Sequence, residues 1–559
     1  MSSCTTRPSS LACIECRKRH LKCSASVPVC SRCSLRGLQC VYKPSRRGQR
    51  GPPSNHVDLL SPVSGSRIVQ STSATSNNGL PFSSADVPAP ATFPLNGEDP
   101  VALAAQEASS LPAGSEHLVN LYYNNFHPAH PILVPRDLYQ ARSYPSYLAS
   151  VVTFIGSHFS SSCSSDSLRA IAINALSDFN MKTATMVQAR LLCAIALHAE
   201  NERELSNSLL GAAVDLAIEI GMHQKAFAIL YGEARPIEEE SLRRTWWELY
   251  VVDGYLAALD KKSEFKTNAV NADVLLPCEE FVYADGACLP SPLSLADFDQ
   301  RIFGHDELQF SSFCYRIEAT RILSRVLALD GMREVHQDQL QAVDNALAGW
   351  SLHLPPTKAD IMNEYGELDE MLFQAYMIIQ FATIFLHSPR SGLMSALPTC
   401  PDIPCIYSKK QAPPAQTQHM HAVKATEASK QVSNLAALRW PVQKHTPFFI
   451  CGVVIGAIIQ LSTCSKHSGL CLEQHRDHVS LIIGVLKSFS QNWTIAHVAV
   501  TQIKKVGAEI LRPKPFLSQR DSALDTLEIS PGNDPWFDLL NMPTLQGLAE
   551  YEAETNQLV

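Results

Sequence analysis

No apolar run of the sequence is expected to be long enough to cross a membrane. The most apolar uncharged stretch is Thr446–Ser465, and the strongly apolar part of it extends only from Phe448 to Ile459, where a bilayer needs about 20 residues. Gly452 and Gly456 form a GxxxG inside that stretch, which outside a spanning segment reads as close packing of a buried helix. The N-terminal MSSCTTRPSSLACIEC lacks an apolar core, so no secretory leader is expected. Strand-like alternation is almost missing, and no internal repeat of roughly 20–50 residues is evident. There is no glycine-rich phosphate loop, GxSxG elbow, HExxH pair or EF-hand loop, so an enzyme is not expected. Positive charge is also in short supply. The net charge is −8 and the pI near 6.2, which averaged over the chain argues against a nucleic-acid partner.

That average hides an asymmetry. Residues 1–50 hold eleven Lys and Arg against one acid, Glu15, for +10, so the rest of the chain carries −18. With 559 residues, the chain is too long for one compact domain, and a small basic head on a large acidic body is the expected organisation.

What the sequence does have is cysteine. Seventeen are present, six of them at Cys13-x2-Cys16-x6-Cys23-x6-Cys30-x2-Cys33-x6-Cys40. The pattern C-x2-C-x6-C thus occurs twice. Two cysteines two residues apart can wrap one metal ion, and thiolates are ligands zinc prefers. A disulfide scaffold would need an oxidising compartment and would not explain the basic residues between the ligands. Two separate zinc sites need eight ligands, and no nearby histidine convincingly supplies the missing two. Sharing two thiolates between two ions completes the count. Ten further cysteines after residue 160 stand among apolar neighbours and are expected to be reduced and buried, while Cys4 is expected to be a tail thiol.

The segment ACIECRKRHLKCSASVPVCSRCSLRGLQCVY resembles the binuclear zinc-cluster DNA-binding domain of fungal transcription regulators, over about 30 residues without a gap. The resemblance implies two Zn²⁺ ions per chain. One would be held by Cys13, Cys16, Cys23 and Cys30, the other by Cys30, Cys33, Cys40 and Cys13, so that Cys13 and Cys30 bridge. So short a domain has little apolar core, and metal binding would supply its folding energy. Pro28 matches the family's proline in the loop between the halves.

The resemblance also implies that Arg17-Lys18-Arg19-His20-Leu21-Lys22 forms a short helix whose end enters the major groove of double-stranded DNA and reads a CGG-type triplet. Arg and Lys can donate to guanine O6 and N7. Arg19 and His20 are the expected base contacts, with Arg17, Lys18 and Lys22 on phosphates or holding the fold. His20 departs from the family's usual Lys, which bears on triplet preference and on pH sensitivity. Past Cys40, Lys43, Arg46, Arg47 and Arg50 continue the positive charge; they are expected to track phosphates and to serve nuclear import. No heptad register follows among Leu59, Leu60, Val63, Ile68 and Leu80, so an evident coiled-coil dimer is absent and any homodimer would form through the helical region.

The remaining chain divides by composition. Residues 51–100 contain nine Ser, eight Pro and four Gly and read as a flexible linker. From about 117 to 512 apolar residues recur at helical period. In Ser206–Gly221 the residues Leu205, Leu209, Ala212, Ala213, Leu216, Ala217 and Ile220 share a face, with Gly221 at the expected C-terminus. In Glu238–Leu259 a stripe runs through Leu242, Trp246, Leu249, Asp253 and Leu256. Trp246, Trp247 and Tyr250 read as core anchors, and Arg243 and Arg244 as a solvated or ion-paired turn. His127 and His130, beside Pro128 and Pro131, read as a structural turn rather than a metal pair. Residues 117–139, 212–224 and 238–257 resemble the fungal transcription-factor middle domain. The end, residues 513–559, has eight acids and two bases. Its Asp534-Pro535-Trp536-Phe537-Asp538-Leu539-Leu540 has the make-up of an acidic activating segment for a coactivator groove, or of a plain acidic tail.

The expected molecule is therefore mostly all-α. It comprises a tail (1–12), a binuclear zinc cluster (13–40), a basic then Ser/Pro-rich linker (41–116), a large helical regulatory domain (117–512) and an acidic end (513–559). The expected function is nuclear, zinc-dependent, sequence-specific DNA binding in transcription, with an activator favoured and control of a metabolic or secondary-metabolite gene set implied by the resemblance alone. No membrane is expected, and no effector is identified. The alternatives are a zinc-stabilised interaction scaffold, a repressor without an activating tail and, more remotely, a helical enzyme carrying a DNA-targeting head.

Overall fold

Helix ends are written into the sequence where the backbone needs them. Thr183 accepts from the Met186 N–H and Asp369 from the Leu372 N–H, each satisfying a donor that the first helical turn leaves open. Gly221 adopts φ +79°, past the end of a helix that finishes at Glu219. The Met222 N–H then reaches back to the Ala217 carbonyl at 2.8 Å, the bond that closes a helix on a left-handed glycine.

These and similar signals produce the helices found in a computed structural model, which describes Cys23, Cys33 and residues 115–511 apart from 178–180, 287, 304–307, 333–334, 397–414 and 466–469. The chain parts into two units, Met1–Leu95 and Asn96–Val559. In the second unit the longer helices are α1 (Ser115–Asn125), α2 (Ser146–Ser157), α3 (Ser165–Ala175), α4 (Ala184–Ala199), α5 (Arg203–Glu219), α6 (Pro236–Leu259), α7 (Ser312–Gly331), α8 (Gln337–Trp350), α9 (Glu370–His387), α10 (Ala415–Ala436), α11 (Phe448–Cys464), α12 (Leu470–Phe489) and α13 (Thr494–Leu511). Among the described residues the sole β-pairing is an isolated bridge between Met362 and Leu368. The architecture is all-α, as the periodicity predicts.

Neighbours in sequence are mostly neighbours in space. Helix α1 packs on α2, α4 on α5, α9 on α7 and α10, and α11 on α10, α12 and α13. Gly156 lets α2 touch α1: a Cβ there would stand 2.0 Å from the Leu118 carbonyl oxygen. Every residue of α11 is buried, as expected of the Phe448–Ile459 stretch. Its Gly452 faces Met377 and Tyr255, and Gly456 faces Val432, so the GxxxG lies in a buried helix, with only Gly456 in a tight contact. The expectation that no run is long enough to cross a membrane is corrected at one helix among the described residues, Glu370–Arg390, which passes by length and composition; 83% of its apolar window is buried within the fold, as in a core helix.

Three further readings need correction. On α5 the buried positions are Ser206, Leu210, Ala213, Val214, Leu216 and Ala217. Leu205, Leu209, Ala212 and Ile220 are half-buried, and of these Leu205, Leu209 and Ile220 still pack against the core. On α6 no single stripe is buried; nearly the whole circumference is, including Glu240, Arg243, Arg244 and Glu248. Of the cysteines after residue 160, Cys193, Cys314, Cys451 and Cys464 are buried as expected, but Cys163 and Cys288 are exposed. Both lie in connections rather than on helices, and Cys163 stands in a run of serines from Ser160 to Ser165 with no apolar neighbour beside it.

Candidate functional site

Two of the six spaced cysteines fall within the described residues. Cys33 is helical and buried, and Cys23 is half-buried. Thiols withdrawn from solvent suit the donor set of a structural zinc site. Cys13, Cys16, Cys30 and Cys40 lie outside the described residues. So do Arg17, Lys18, Arg19, His20, Lys22, Lys43, Arg46, Arg47 and Arg50, and the segment 534–540.

In the helical unit the polar groups that matter most were not anticipated. Glu248, in the middle of α6, is fully buried. Arg316 from α7 holds it through both terminal nitrogens, at 2.5 and 2.9 Å. His130, from the turn after α1, donates through Nδ1 at 2.8 Å. Burial works against the Glu248 charge, yet the Arg316 guanidinium and these hydrogen bonds outweigh it and hold the carboxyl down at about 2. The ionised form is thus the folded form. The one signal available in the sequence was an Arg and a Glu set within otherwise apolar helices, since such charges are rarely buried unless paired.

About two turns earlier, Glu240 accepts from Arg243 at 3.1 Å, from Arg244 Nε at 2.9 Å and from the Cys278 N–H at 2.8 Å. Arg244 is fully buried, lies 3.9 Å over the Tyr283 ring and also pairs with Glu280. The two arginines are therefore ion-paired and not solvated. On α9, Glu370 takes His445 Nδ1 at 2.7 Å and Gln374 at 2.9 Å, tying α9 to the approach of α11. These three carboxylates act as latches between helices. Each is matched by its own partners, and among the described residues no group of three His, Cys or carboxylate side chains converges as a metal site.

The His-Pro segment behaves as a turn. His127 donates from Nε2 to the Leu133 carbonyl at 3.1 Å, and burial pushes its pKa down to about 4. Tyr123 and Tyr283 close the same segment by donating to the Val134 and Leu133 carbonyls at 2.7 and 3.0 Å. Trp246, Trp247 and Tyr250 are buried, as expected of core anchors.

Comparison with known proteins adds what geometry leaves open. Residues 11–49 match the fungal Zn(2)-Cys(6) binuclear cluster domain, and residues 119–329 match the fungal specific transcription factor domain. The chain is 30% identical over 554 residues to the C6 finger domain transcription factor iacK of Pestalotiopsis fici, an alignment covering 92% of this chain and 82% of that protein. It is 24% identical over 300 residues to the acetamidase regulatory protein of Aspergillus oryzae, covering 50% of this chain and 35% of the relative. A stretch of 63 residues is 41% identical to an uncharacterized transcriptional regulatory protein of Schizosaccharomyces pombe. No solved structure matches the chain.

Proposed function

The chain belongs to the family of fungal C6 zinc-cluster transcription factors, and on that premise we propose that it is a nuclear activator of RNA polymerase II genes that reads CGG-type triplets. Membership carries zinc binding, DNA binding and a role in transcription. The finer reading rests on one observation, the uninterrupted six-cysteine spacing with Arg17-Lys18-Arg19-His20-Leu21-Lys22 enclosed between the second and third ligands. Cys13, Cys16, Cys23, Cys30, Cys33 and Cys40 would hold two Zn²⁺, with Cys13 and Cys30 shared. When bound, the metals supply folding energy and fix the basic helix in one orientation.

The division of charge supports the same mechanism. Six thiolates and two Zn²⁺ leave the head near +8, enough to neutralise several phosphates, while the acidic remainder disfavours casual contact with DNA. Arg19 and His20 take base edges; Arg17, Lys18, Lys22, Lys43, Arg46, Arg47 and Arg50 take phosphates. Residues 534–540 offer Trp536, Phe537, Leu539 and Leu540 to a coactivator, kept soluble by Asp534 and Asp538. Any homodimer forms through the helical unit. A metabolic gene set is the proposed target, supported by relatives titled acetamidase regulatory proteins.

The test is a gel-shift series with full-length protein on duplexes carrying CGG triplets and on scrambled duplexes, across a range of salt. Specific binding should exceed scrambled binding by at least about 10³-fold at physiological salt. Equal affinity for both duplexes would overturn the triplet reading.

A further inference from the structure

A cavity of about 530 Å³ opens beside α6, bounded by the short helices Lys266–Ala269 and Leu295–Gln300 and by α7. That volume is within the range that holds a small molecule. Trp246, Trp247 and Tyr250 from α6 line it. Trp247 donates to the Leu275 carbonyl at 3.0 Å, and Tyr250 donates to Asn268 Oδ1 at 2.9 Å, which leaves the Asn268 NH2 as a donor. Trp246 is fully buried, and its Nε1 has no partner.

The charges in the cavity can be counted. Asp299 is held by Arg321 at 2.7 and 3.1 Å. Glu318 is held by Arg301 at 2.7 and 2.9 Å. Both carboxylates are therefore spent. Arg325, about one turn beyond Arg321 on α7, is exposed and has no carboxylate partner among the described residues; its guanidinium reaches only the Ala342 carbonyl, at 3.4 Å. The cavity thus combines an apolar lining from Val270, Ala272 and Leu295, over the almost fully buried Trp247 and Tyr250, with one unmatched guanidinium, whose planar fork suits a carboxylate.

We propose that this cavity binds a small organic carboxylate with an apolar body. Arg325 takes the carboxylate, Asn268 and Asn271 supply further hydrogen bonds, and the body lies against the half-buried Val270, Ala272 and Leu295. A neutral molecule of the same shape leaves Arg325 unmatched and loses the charge-assisted bond. The lining residues all belong to the second unit, and the test reads binding of a small molecule, so its outcome does not depend on DNA binding.

The experiment is isothermal titration of the full-length zinc-loaded protein with naphthalene-2-carboxylate and, separately, naphthalene-2-carboxamide. The carboxylate should bind once per chain, at least about tenfold tighter than the amide. R325Q should remove that preference while leaving weak amide binding unchanged, and R325K should restore part of it. Arg325 is exposed and free of ion pairs, so both variants should melt with the wild type. No saturable binding of the carboxylate, equal affinity for both compounds, or an unchanged preference in R325Q would each overturn the proposal.

Discussion

Arg316 of α7 faces Glu248 of α6 through two parallel hydrogen bonds, at 2.5 and 2.9 Å, in a place from which solvent is excluded. Both charges are expensive to bury, and the geometry offsets that cost only while both remain. Arg316→Met should therefore leave a stranded carboxylate and destabilise the helical unit by about 3–5 kcal/mol. Glu248→Gln in the same background should recover a large part of the loss. Urea unfolding of the single and double variants decides the matter; additive losses would mean that the pair is not coupled.

Acidification should weaken the helical unit in a defined window. Burial holds His127 and His198 neutral in the fold, with pKa values down at about 4 against an ordinary 6.5. Between those values the unfolded chain binds more protons than the folded one, so stability is complete above about 6.5 and falls as pH drops toward 4. Each histidine contributes up to about 1.4 kcal/mol per pH unit there. Glu248 works at lower pH, its contribution being lost as pH falls through about 2. Melting temperature measured between pH 7.5 and 5 should decline, and His127→Gln should flatten the slope. A level profile would contradict the buried neutral histidines.

Two glycines should respond in opposite directions to alanine. At Gly156 the new methyl would meet the Leu118 carbonyl oxygen at 2.0 Å, so α1 and α2 must separate; a loss of about 1–3 kcal/mol is expected. At Gly484, inside α12, a Cβ meets nothing within 4 Å, and the better helix former should gain about 0.5–1 kcal/mol. Thermal unfolding of G156A and G484A reads both; similar shifts in the two variants would refute the close approach of α1 and α2.

The zinc head gives a ranking. If Cys13 and Cys30 each serve two ions, then Cys13→Ala and Cys30→Ala should cost more zinc than Cys40→Ala, which removes a ligand from one ion. Metal analysis of the intact protein should return two zinc ions per chain. Equal depletion in all three variants would contradict sharing, and one zinc per chain would exclude the binuclear arrangement.

Much of the fold was legible because single residues carried single messages. Gly221 could end a helix, Phe448–Ile459 could only be buried, and Trp246 and Trp247 were too large and apolar to leave outside. The cysteine spacing was equally direct, since metal ligation constrains sequence more tightly than packing does. The buried ion pairs were not legible. Nothing local in Glu248 distinguishes it from a surface glutamate; its partner stands 68 residues away, and its burial depends on α7 and on the His-Pro turn arriving together. Periodicity also misjudged α6, because a helix enclosed on all sides has no dry face to display.

His20 offers the last test, on the side of DNA. It stands where a lysine is usual in the family, on a segment already rich in charge. Near pH 7.5 an ordinary histidine is neutral, so the head carries one positive charge fewer than a lysine-bearing relative would. His20→Lys should steepen the dependence of log affinity on log salt by about 0.9 if the new charge meets a phosphate. It should also abolish any gain in affinity between pH 7.5 and 6, which the histidine provides as it protonates. If His20 takes a base edge, as proposed above, the salt slope will stay put and the preferred triplet will change. Gel shifts at two pH values and three salt concentrations, repeated on duplexes varied at each triplet position, separate these outcomes.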